Sequence, residues 1–474
     1  MIILHYLFIA LEVVLVFNLL IGTHELGHFL AARWRGLKVE RFAIWFGKPI
    51  WKKNVGGVEY ALGWIPAGGY VSLPQMATME AIEGKKDEKA EQLPNVSPLD
   101  KIIVAFAGPL FSFLLAVFFA IIVWQVGKPG NEADNNTTIG WVDPTGPAAK
   151  AGLLPGDTIL AIDNHPVHHF APMSTMEDSI IWRIATSTGK NIAIKYLRAG
   201  KEAMANAVPV HLETKWYERR SLRKILLVNA NKAVIFDVAA NSPAALAGLK
   251  KGDEVVALDG EKIYSHVAVM AAEQAMSNNP VKSLTLSIQR GTQQFDCKLL
   301  AAKPVQPANY PPSLGIMTWL GNTNSTLVYP PPLEQIKVSA GQIIDTFGAL
   351  FKHNGEIGVQ QLGSAVMIVR VYSNLFQDEE GWRRVLWFSV ILNVNLALIN
   401  LLPLPVLDGG HITLSLIEWI RRRPSHPKIL NYLQNGFAIA LISLMAYLAF
   451  FDVVDWGRSA HANRDVPVVF AAPK

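Results

Sequence analysis

The sequence predicts a polytopic α-helical membrane protein whose polar middle region folds into two β-rich domains. Only 17% of the 474 residues are charged and 51% are hydrophobic, whereas about a quarter of the residues of an average soluble domain are charged. The apolar residues are concentrated in four stretches, at 6–32, 102–126, 385–402 and 436–451. The polar region between the second and third stretch, residues 127–381, is long enough for two small domains.

The four apolar stretches predict four transmembrane helices. About 18 apolar residues in a row suffice to cross a bilayer. The first three stretches approach or exceed that length, and the fourth gains length from the apolar residues just before it. The predicted spans are residues 1–32, 102–126, 382–408 and 429–452. Residues 33–101 and 409–428 then connect spans on one side of the membrane, and residues 453–474 form a tail on the other side.

The distribution of basic residues predicts the orientation of the chain. Lysine and arginine are enriched in the cytoplasmic flanks of spans, and here they cluster at 33–38, 52–53 and 421–423. This places both termini and residues 127–381 outside the cytoplasm, with Arg383 and Arg384 as a small exception. The net charge of +5 is therefore associated with a lipid bilayer and not with nucleic acid, which would require a basic patch on a folded domain.

The N-terminal segment and the cysteine content give two further expectations. The N-terminal apolar run lacks a basic start and is not followed by a small-residue cleavage site, so we expect it to be retained and not removed as a signal peptide. Cys297 is the only cysteine, which excludes an intrachain disulfide.

The middle region contains a repeat. “GPAAKAGLLPGDTILAIDNHPV” at 146–167 matches “SPAALAGLKKGDEVVALDGEKI” at 242–263. Each copy has a short helical segment, a Gly-Leu break, a Gly-Asp turn and an alternating strand, and this pattern resembles the PDZ domains of bacterial envelope proteases. The predicted domains are residues 127–222 and 223–309. PDZ domains bind extended peptides and C-termini by adding a strand to a sheet edge; the sequence leaves open whether these domains capture peptides or exclude bulky substrates.

Residues 310–381 are predicted to be a linker with an amphipathic helix. The segment 329–353 has a proline break followed by apolar residues at helical spacing: Leu333, Ile336, Ile343, Phe347, Leu350 and Phe351. A helix lying in the membrane surface and a helix packed against the outer domains both agree with this pattern.

The first span contains a candidate zinc site. On a helix, residues four apart face the same side, so His24 and His28 can bind one metal ion while Glu25 deprotonates water, as in the His-Glu-x-x-His motif of metalloproteases. Two histidines that merely satisfy one another in a polar seam would give the same pattern. Ionisable groups are costly inside a membrane and usually mark a functional site, which favours the zinc interpretation.

The third zinc ligand is predicted in the third span. A catalytic zinc normally has three protein ligands, and Asp408 is the only acid in “NVNLALINLLPLPVLDGGH” at 393–411. Pro403 and Pro405 interrupt a regular helix there, and such backbone is tolerated at membrane depth only where it is buried in protein or lines a cavity. An aspartate that caps the following helix remains the other interpretation.

Together, the two motifs resemble those of the site-2 protease family of intramembrane zinc metalloproteases. The His-Glu-x-x-His motif and the Asn-x-x-Pro-x-Pro-x-Leu-Asp-Gly motif, with tandem PDZ domains between the second and third of four spans, are similar to the bacterial RseP type. The resemblance implies that His24, His28 and Asp408 bind Zn²⁺ and that Glu25 is the general base. It also implies that Asn395 and Asn400 contact the substrate backbone, although hydrogen bonding between helices is the other interpretation, nearly as strong for Asn395.

The resemblance also implies a reentrant β-element between the first two spans. “VERFAIWFGKPIWKK” and “VEYALGWIPAGGYVSL” form alternating strands, although an ordinary cytoplasmic hairpin would look the same. Three positions depart from the family pattern: Trp45 replaces a glycine, Ser112 replaces an asparagine, and “LGSAVMI” at 362–368 lacks a proline.

The resemblance implies that the substrates are single-span membrane proteins already shortened on the outer side, such as anti-sigma factors of an envelope stress response, and signal-peptide remnants. The resemblance implies a multi-pass protein of the bacterial inner membrane with periplasmic termini and PDZ domains. A proteolytically silent PDZ receptor or adaptor is the second hypothesis, but an adaptor does not need Glu25. A transporter is disfavoured because the chain shows no repeated halves with broken helices.

Overall fold

The structure is a computed structural model of the chain. It describes residues 2–76, 96–130, 136–171, 176, 178–276, 283–307, 309–320, 327–377, 380–422, 427–462 and 468–471. The chain divides into two compact units. We call residues 1–129, 328–344 and 362–456 the helical unit, and residues 130–327, 345–361 and 457–474 the β unit.

Within the described part of the chain, four helices are long and apolar enough to cross a membrane, as the sequence predicts. The segments that meet this criterion are Leu7–Trp34, Pro98–Val126, Gly381–Asn400 and Tyr432–Ser459. They belong to helices α1 (Ile2–Trp34), α2 (Pro98–Val126), α9 (Gly381–Asn400) and α11 (Pro427–Ala462). Helix α2 begins where Ser97 accepts a hydrogen bond from the N–H of Asp100, with Pro98 in the first turn, which is a common start for a helix.

Between α1 and α2 lies a bent hairpin of two long strands, β1 (Arg41–Val55) and β2 (Val58–Ser72). Residues 41–44 of β1 pair with 69–72 on one side and with 59–62 on the other, and 51–54 pair with the far side of 59–62. The two strands thus make a sheet of four segments, with 51–54 and 69–72 at its edges. The rest of the region predicted at 33–101 falls mainly on 77–95, outside the described residues.

The predicted bounds of the third and fourth spans need correction. The third span was predicted as 382–408, but α9 ends at Asn400, because Pro403 and Pro405 cannot donate helical hydrogen bonds. The predicted connection 409–428 is largely a helix, α10 (Asp408–Arg421). The fourth span was predicted as 429–452 and the tail as 453–474, yet α11 continues to Ala462 and its membrane-compatible segment to Ser459. Charged residues such as Asp452 and Asp455 do not end a helix by themselves.

The predicted linker contains two helices, α7 (Pro332–Leu350) and α8 (Ala365–Phe376). Two of the apolar residues predicted to share a face, Leu333 in the first turn of α7 and Phe351 just after its end, are exposed in the structure. The most buried residues of its first half are polar, and Gln335 donates a 2.9 Å hydrogen bond to the carbonyl oxygen of Ala120. This bond satisfies the buried amide nitrogen, although not the amide oxygen, and holds the start of α7 against α2.

Helix α8 was not predicted, and it begins in the segment that departs from the family pattern. The Ser364 hydroxyl accepts a hydrogen bond from the N–H of Val366, and the N–H of Ser364 donates to Oδ2 of Asp452 at 2.7 Å. The serine therefore caps α8 and connects it to α11. The Trp45 departure has a local cost, because its φ of 69° lies in the left-handed region that favours glycine.

The β unit contains two modules built on the same plan. The first module has strands β4 (Ile139–Val142), β5 (Thr158–Ile162), β6 (His165–Pro166), β7 (Ile192–Arg198), β8 (Lys201–Ala207) and β9 (Leu227–Asn229), with helices α3 (Pro147–Lys150) and α4 (Ile180–Thr186). Its sheets have the orders β6-β5-β7-β8 and β4-β9. The two-residue strands β3 (Lys128–Pro129) and β16 (Leu327–Val328) lie before the first module and after the second.

The second module repeats this arrangement. Its strands are β10 (Ala233–Val238), β11 (Glu254–Leu258), β12 (Glu261–Lys262), β13 (Leu284–Arg290), β14 (Gln293–Leu299) and β15 (Ile316–Leu320), with helices α5 (Pro243–Leu246) and α6 (His266–Met276). The strand order is β14-β13-β11-β10-β15, and β12 pairs with β11. Each module has its own buried core, centred on residues such as Ile159 and Ile192 in the first and Val255 and Leu286 in the second.

The predicted module ends at 222 and 309 are too early. Strand β9 pairs with β4, so residues 227–229 belong to the first module, and β15 pairs with β10, so residues 316–320 belong to the second. The strand that closes each module follows an irregular connection. The repeated segments at 146–167 and 242–263 contain no signal for it.

Candidate metal centre

The two histidines of the first span face the same point. His24 and His28 are four residues apart on α1, and both are buried. Their Nε2 atoms lie 3.2 Å apart. This is the arrangement that helical periodicity predicts for two ligands of one ion.

Asp408 lies against this pair. It is the first residue of α10, and its carboxylate oxygens are 3.2 Å from Nε2 of His24 and 3.4 Å from Nε2 of His28. The N-cap of α10 is the preceding residue, Leu407, and no side chain caps the helix there. The carboxylate therefore faces the imidazoles and does not cap its helix.

Two glycines after Asp408 allow α10 to start there. A Cβ atom on Gly409 would overlap the backbone of Leu401, and one on Gly410 would overlap the carbonyl group of Leu404. The start of α10 is thus folded directly onto the irregular segment that follows α9. A side chain at either position would displace Asp408 from the histidines.

The three side chains fit a zinc ion. Two ligand atoms that are each about 2.0–2.1 Å from a tetrahedral zinc lie roughly 3.3 Å apart. The three separations among the imidazole nitrogens and carboxylate oxygens are 3.2, 3.2 and 3.4 Å. Within the described part of the chain, no other group of three histidine, cysteine or acidic residues could hold a metal ion.

Helix α2 orients both imidazoles through their other nitrogens. Nδ1 of His28 lies 2.8 Å from the carbonyl oxygen of Val104, which can only accept a hydrogen bond, so the proton is on Nδ1. Nδ1 of His24 lies 3.0 Å from the hydroxyl of Ser112. Hydrogen bonds of this kind fix the ring orientation and leave Nε2 free to bind a metal.

Sequence reasoning missed these partners. Ser112 was noted only as a departure from the family pattern, suited to close helix packing, and the carbonyl of Val104 carries no sequence signal. Ser112 lies three residues after the Ala-Gly-Pro motif, and that spacing was the available clue.

Glycine makes the approach of α1 to α2 possible. A Cβ atom on Gly108 would overlap the ring of His28 and would lie 2.8 Å from Nε2 of His24. A Cβ atom on Gly27 would overlap the carbonyl oxygen of Ala107. The backbone of α2 therefore forms one wall of the metal centre.

Glu25 lies beside the centre and next to the β-hairpin. It follows His24 on α1 and is half-buried. A Cβ atom on Gly69 would lie 3.2 Å from Cγ of Glu25, so the edge segment 69–72 of β2 passes close to this side chain.

The structure does not join the two predicted asparagines to the zinc ligands. Asn395 and Asn400 are half-buried on α9, and Asn400 is its last residue. Among the described residues, neither side chain forms a hydrogen bond with His24, His28 or Asp408. The Oδ1 atom of Asn395 is buried without a hydrogen-bond partner there, as is that of Asn393, two residues earlier.

The fold and the centre together define a membrane-embedded metalloprotease. The family model “Peptidase family M50” matches residues 12–444. The chain belongs to this family, which is the site-2 protease family, and it is a zinc metalloprotease of the inner membrane.

Relatives are similar over nearly their whole length. A Vibrio cholerae protein named as a presumed zinc metalloprotease is 30% identical over 471 residues, which cover 94% of this chain and 98% of that protein. A Haemophilus influenzae protein named regulator of sigma E protease is 28% identical, with 91% of this chain and 96% of that protein covered. A Salmonella typhi protein of the same name is 26% identical, with 93% and 97% covered.

Proposed function

We propose that this chain hydrolyses peptide bonds within the transmembrane segments of single-span membrane proteins. The observation that supports this most strongly is the convergence of His24, His28 and Asp408 among helices long enough to span a membrane, with Glu25 beside them. Ionisable groups at such depth usually serve a reaction or a transport path.

In this proposal, His24, His28 and Asp408 are the zinc ligands. When bound, zinc acts as a Lewis acid that polarises the scissile carbonyl group and favours deprotonation of water. Ser112 and the carbonyl of Val104 hold the imidazole rings in the ligand orientation.

Glu25 is the proton carrier. Its carboxylate accepts a proton from the attacking water and later donates it to the amide nitrogen that leaves. It suits this role because it is not one of the three proposed zinc ligands, so its carboxylate remains available for a proton. It also lies beside the 69–72 edge of β2.

The substrate has to be extended before cleavage, because a helical peptide bond is shielded by its own hydrogen bonds. Among the described strands, the 69–72 edge pairs with β1 alone, and we propose that the other side of residues 69–71 receives a substrate strand. Asn395 has a free amide oxygen, and Asn400 lies at the end of α9. Together they can replace backbone hydrogen bonds whose loss costs roughly 1–3 kcal/mol for each buried group.

The hairpin has the surface of a membrane-inserted element. Phe46, Ile50, Trp51 and Trp64 are all exposed in the structure. Large exposed apolar patches mark contacts with a membrane or a partner, which supports the proposal that β1 and β2 reenter the bilayer beside the metal centre.

The two β modules are proposed to be periplasmic PDZ domains that either bind peptides or exclude bulky substrates, with both termini on the same side. The names of the Haemophilus and Salmonella relatives support substrates of the anti-sigma-factor type. Signal-peptide remnants are a second substrate class with the same single-span form.

The test is a Glu25→Gln variant of the purified protein with a single-span test substrate. We expect zinc content to be unchanged and cleavage to be abolished, because the amide cannot accept the proton. Glu12→Gln, the same change on the same helix, is the matched control and should cleave normally. Cleavage by Glu25→Gln would remove Glu25 from the mechanism, and a zinc-loaded wild-type protein that cleaves no membrane segment would favour the silent receptor.

A further inference from the structure

The C-terminal tail of the chain is bound to the second module. The N–H of Val469 donates to the carbonyl oxygen of Gln306 at 2.9 Å, and the N–H of Val305 donates to the carbonyl oxygen of Val469 at 2.7 Å. Val469 and Gln306 thus form an antiparallel β-bridge. The next residue, Phe470, is only 4% exposed, whereas Val305 and Val469 remain 56% and 45% exposed. The tail is therefore a surface strand with one buried aromatic anchor.

A comparison with the first module identifies the residue that corresponds to Gly315, which lies beside Phe470. In that module the N–H of Ala148 donates to Ile225, and the N–H of Asp143 donates to Leu226. In the second module the N–H of Ala244 donates to Leu314, and the N–H of Ala239 donates to Gly315. Gly315 is therefore the counterpart of Leu226.

The two positions share a backbone conformation and differ in their side chains. The φ angle is 57° at Leu226 and 81° at Gly315. A Cβ atom on Gly315 would overlap the side chain of Ser242 and would lie 3.2 Å from Cε2 of Phe470. In the first module, Cβ of Leu226 lies 3.1 Å from the position of a Cβ atom on Gly146, which is the counterpart of Ser242. In the second module Gly315 has no side chain, and the ring of Phe470 lies beside it.

We propose that Val305, Gln306 and Gly315 form a peptide-binding site, which we call the tail site, and that residues 468–471 are its tethered ligand. The ligand class is an extended peptide that pairs with Gln306 and places an aromatic residue directly after the paired position. Strand addition supplies the affinity, and the pocket at Gly315 supplies the selectivity. This inference is independent of the proposed proteolytic function.

A tethered ligand competes with free peptides. Because the tail belongs to the same chain, its effective concentration at the site is on the order of millimolar, so a free peptide binds well only when the tail is displaced or removed. The tail therefore keeps the site closed to weak ligands and leaves it open to peptides of higher affinity.

The test uses the full-length protein in detergent and a fluorescent peptide with the sequence of residues 465–474. Phe470→Ala in the protein should increase its affinity for the peptide by about tenfold or more, measured by fluorescence anisotropy, because the tethered competitor loses its anchor. A truncation after Ala471 leaves Val469 and Phe470 in place and is the control; it should bind like the wild type.

A second peptide, carrying alanine in place of Phe470, tests the anchor directly. We expect it to bind the Phe470→Ala protein at least tenfold more weakly than the unchanged peptide. The proposal is overturned if the variant binds no peptide, if variant and wild type bind equally, or if the alanine peptide binds as well as the original. Truncation after Pro467 should reproduce the Phe470→Ala result, and failure to do so also contradicts the proposal.

Discussion

Asp253 in the β unit and Asp408 in the helical unit are both buried carboxylates, and their partners differ. Asp253 in the second module is 1% exposed and accepts two hydrogen bonds from Arg290, at 2.6 and 2.7 Å, and one from the N–H of Lys250. Asp408 is 8% exposed, and its carboxylate oxygens lie 3.2 Å from Nε2 of His24 and 3.4 Å from Nε2 of His28.

The difference in partners separates a structural ion pair, Asp253 with Arg290, from the proposed metal site, Asp408 with His24 and His28. A buried charge requires a counter-charge, and the β unit supplies a guanidinium in both modules, since Asp157 is paired with Arg198 as Asp253 is with Arg290. In the helical unit, the proton of His28 is used by the carbonyl of Val104, and its Nε2 faces the carboxylate. In the proposed site, a divalent cation bound by His24, His28 and Asp408 would supply the counter-charge that a guanidinium supplies in the β unit.

The largest effect is expected from removing the carboxylate of Asp408. The zinc content should fall from about one ion per chain in the wild type to almost none in the Asp408→Ala variant, because a catalytic zinc needs its third ligand. Cleavage should fall by more than about 100-fold, since even the outer partners of zinc ligands contribute 10–100-fold. The measurements are metal content by mass spectrometry and cleavage of a single-span substrate.

Asp253→Ala is the matched control for that experiment. It removes a buried carboxylate from the other unit and should leave zinc content unchanged. Equal zinc loss in both variants would show that the comparison is wrong and that Asp408 acts through folding.

The next largest effect is on the stability of the second module. Asp253→Ala should lower its free energy of unfolding by roughly 1–3 kcal/mol, because the N–H of Lys250 and the guanidinium of Arg290 lose their acceptor. Hydrogen exchange of the β11 and β13 amides in the full-length protein measures this change. The exposed Asp296 is the control, and Asp296→Ala should change exchange little; equal effects would contradict the structural role of Asp253.

The same pair predicts a pH dependence. Burial by itself raises the pKa of the Asp253 carboxyl, but the hydrogen bonds from Arg290 and Lys250 outweigh burial and lower that pKa below its ordinary value. The stabilisation is therefore complete above the pKa of an unfolded aspartate, about 3.9, and is lost as the pH falls through the folded-state pKa. The difference in exchange between wild type and Asp253→Ala should shrink on acidification, and a constant difference would contradict this assignment.

A smaller effect is expected at Ser112. The Ser112→Ala variant should bind zinc about tenfold more weakly, because the ring of His24 loses its orienting partner. Chelator competition measures the affinity, and nitrogen chemical shifts of His24 in the metal-free protein report its tautomer. Ser389→Ala removes another buried hydroxyl of the helical unit and should leave zinc affinity unchanged. Unaltered affinity and tautomer in Ser112→Ala would assign Ser112 to helix packing alone.

Much of the fold could be predicted because it follows from local patterns. Long apolar runs predicted the four spans, and the repeat at 146–167 and 242–263 predicted two similar modules. Helix α10 and the closing strands β9 and β15 were missed or misplaced. The positions of the two strands depend on pairing with distant residues, β4 for β9 and β10 for β15. Such pairing leaves little trace in the local sequence.

For the metal centre, the sequence by itself determined the pairing of His24 and His28, because four residues make about one turn of any helix. Family resemblance, together with its being the only acid in its segment, pointed to Asp408. Only the tertiary structure decided that this carboxylate meets the imidazoles, that α2 supplies Ser112 and Val104 as their partners, and that Phe470 fills the space beside Gly315. These contacts join residues dozens to hundreds of positions apart, and they arise from the packing of elements whose relative positions no local periodicity specifies.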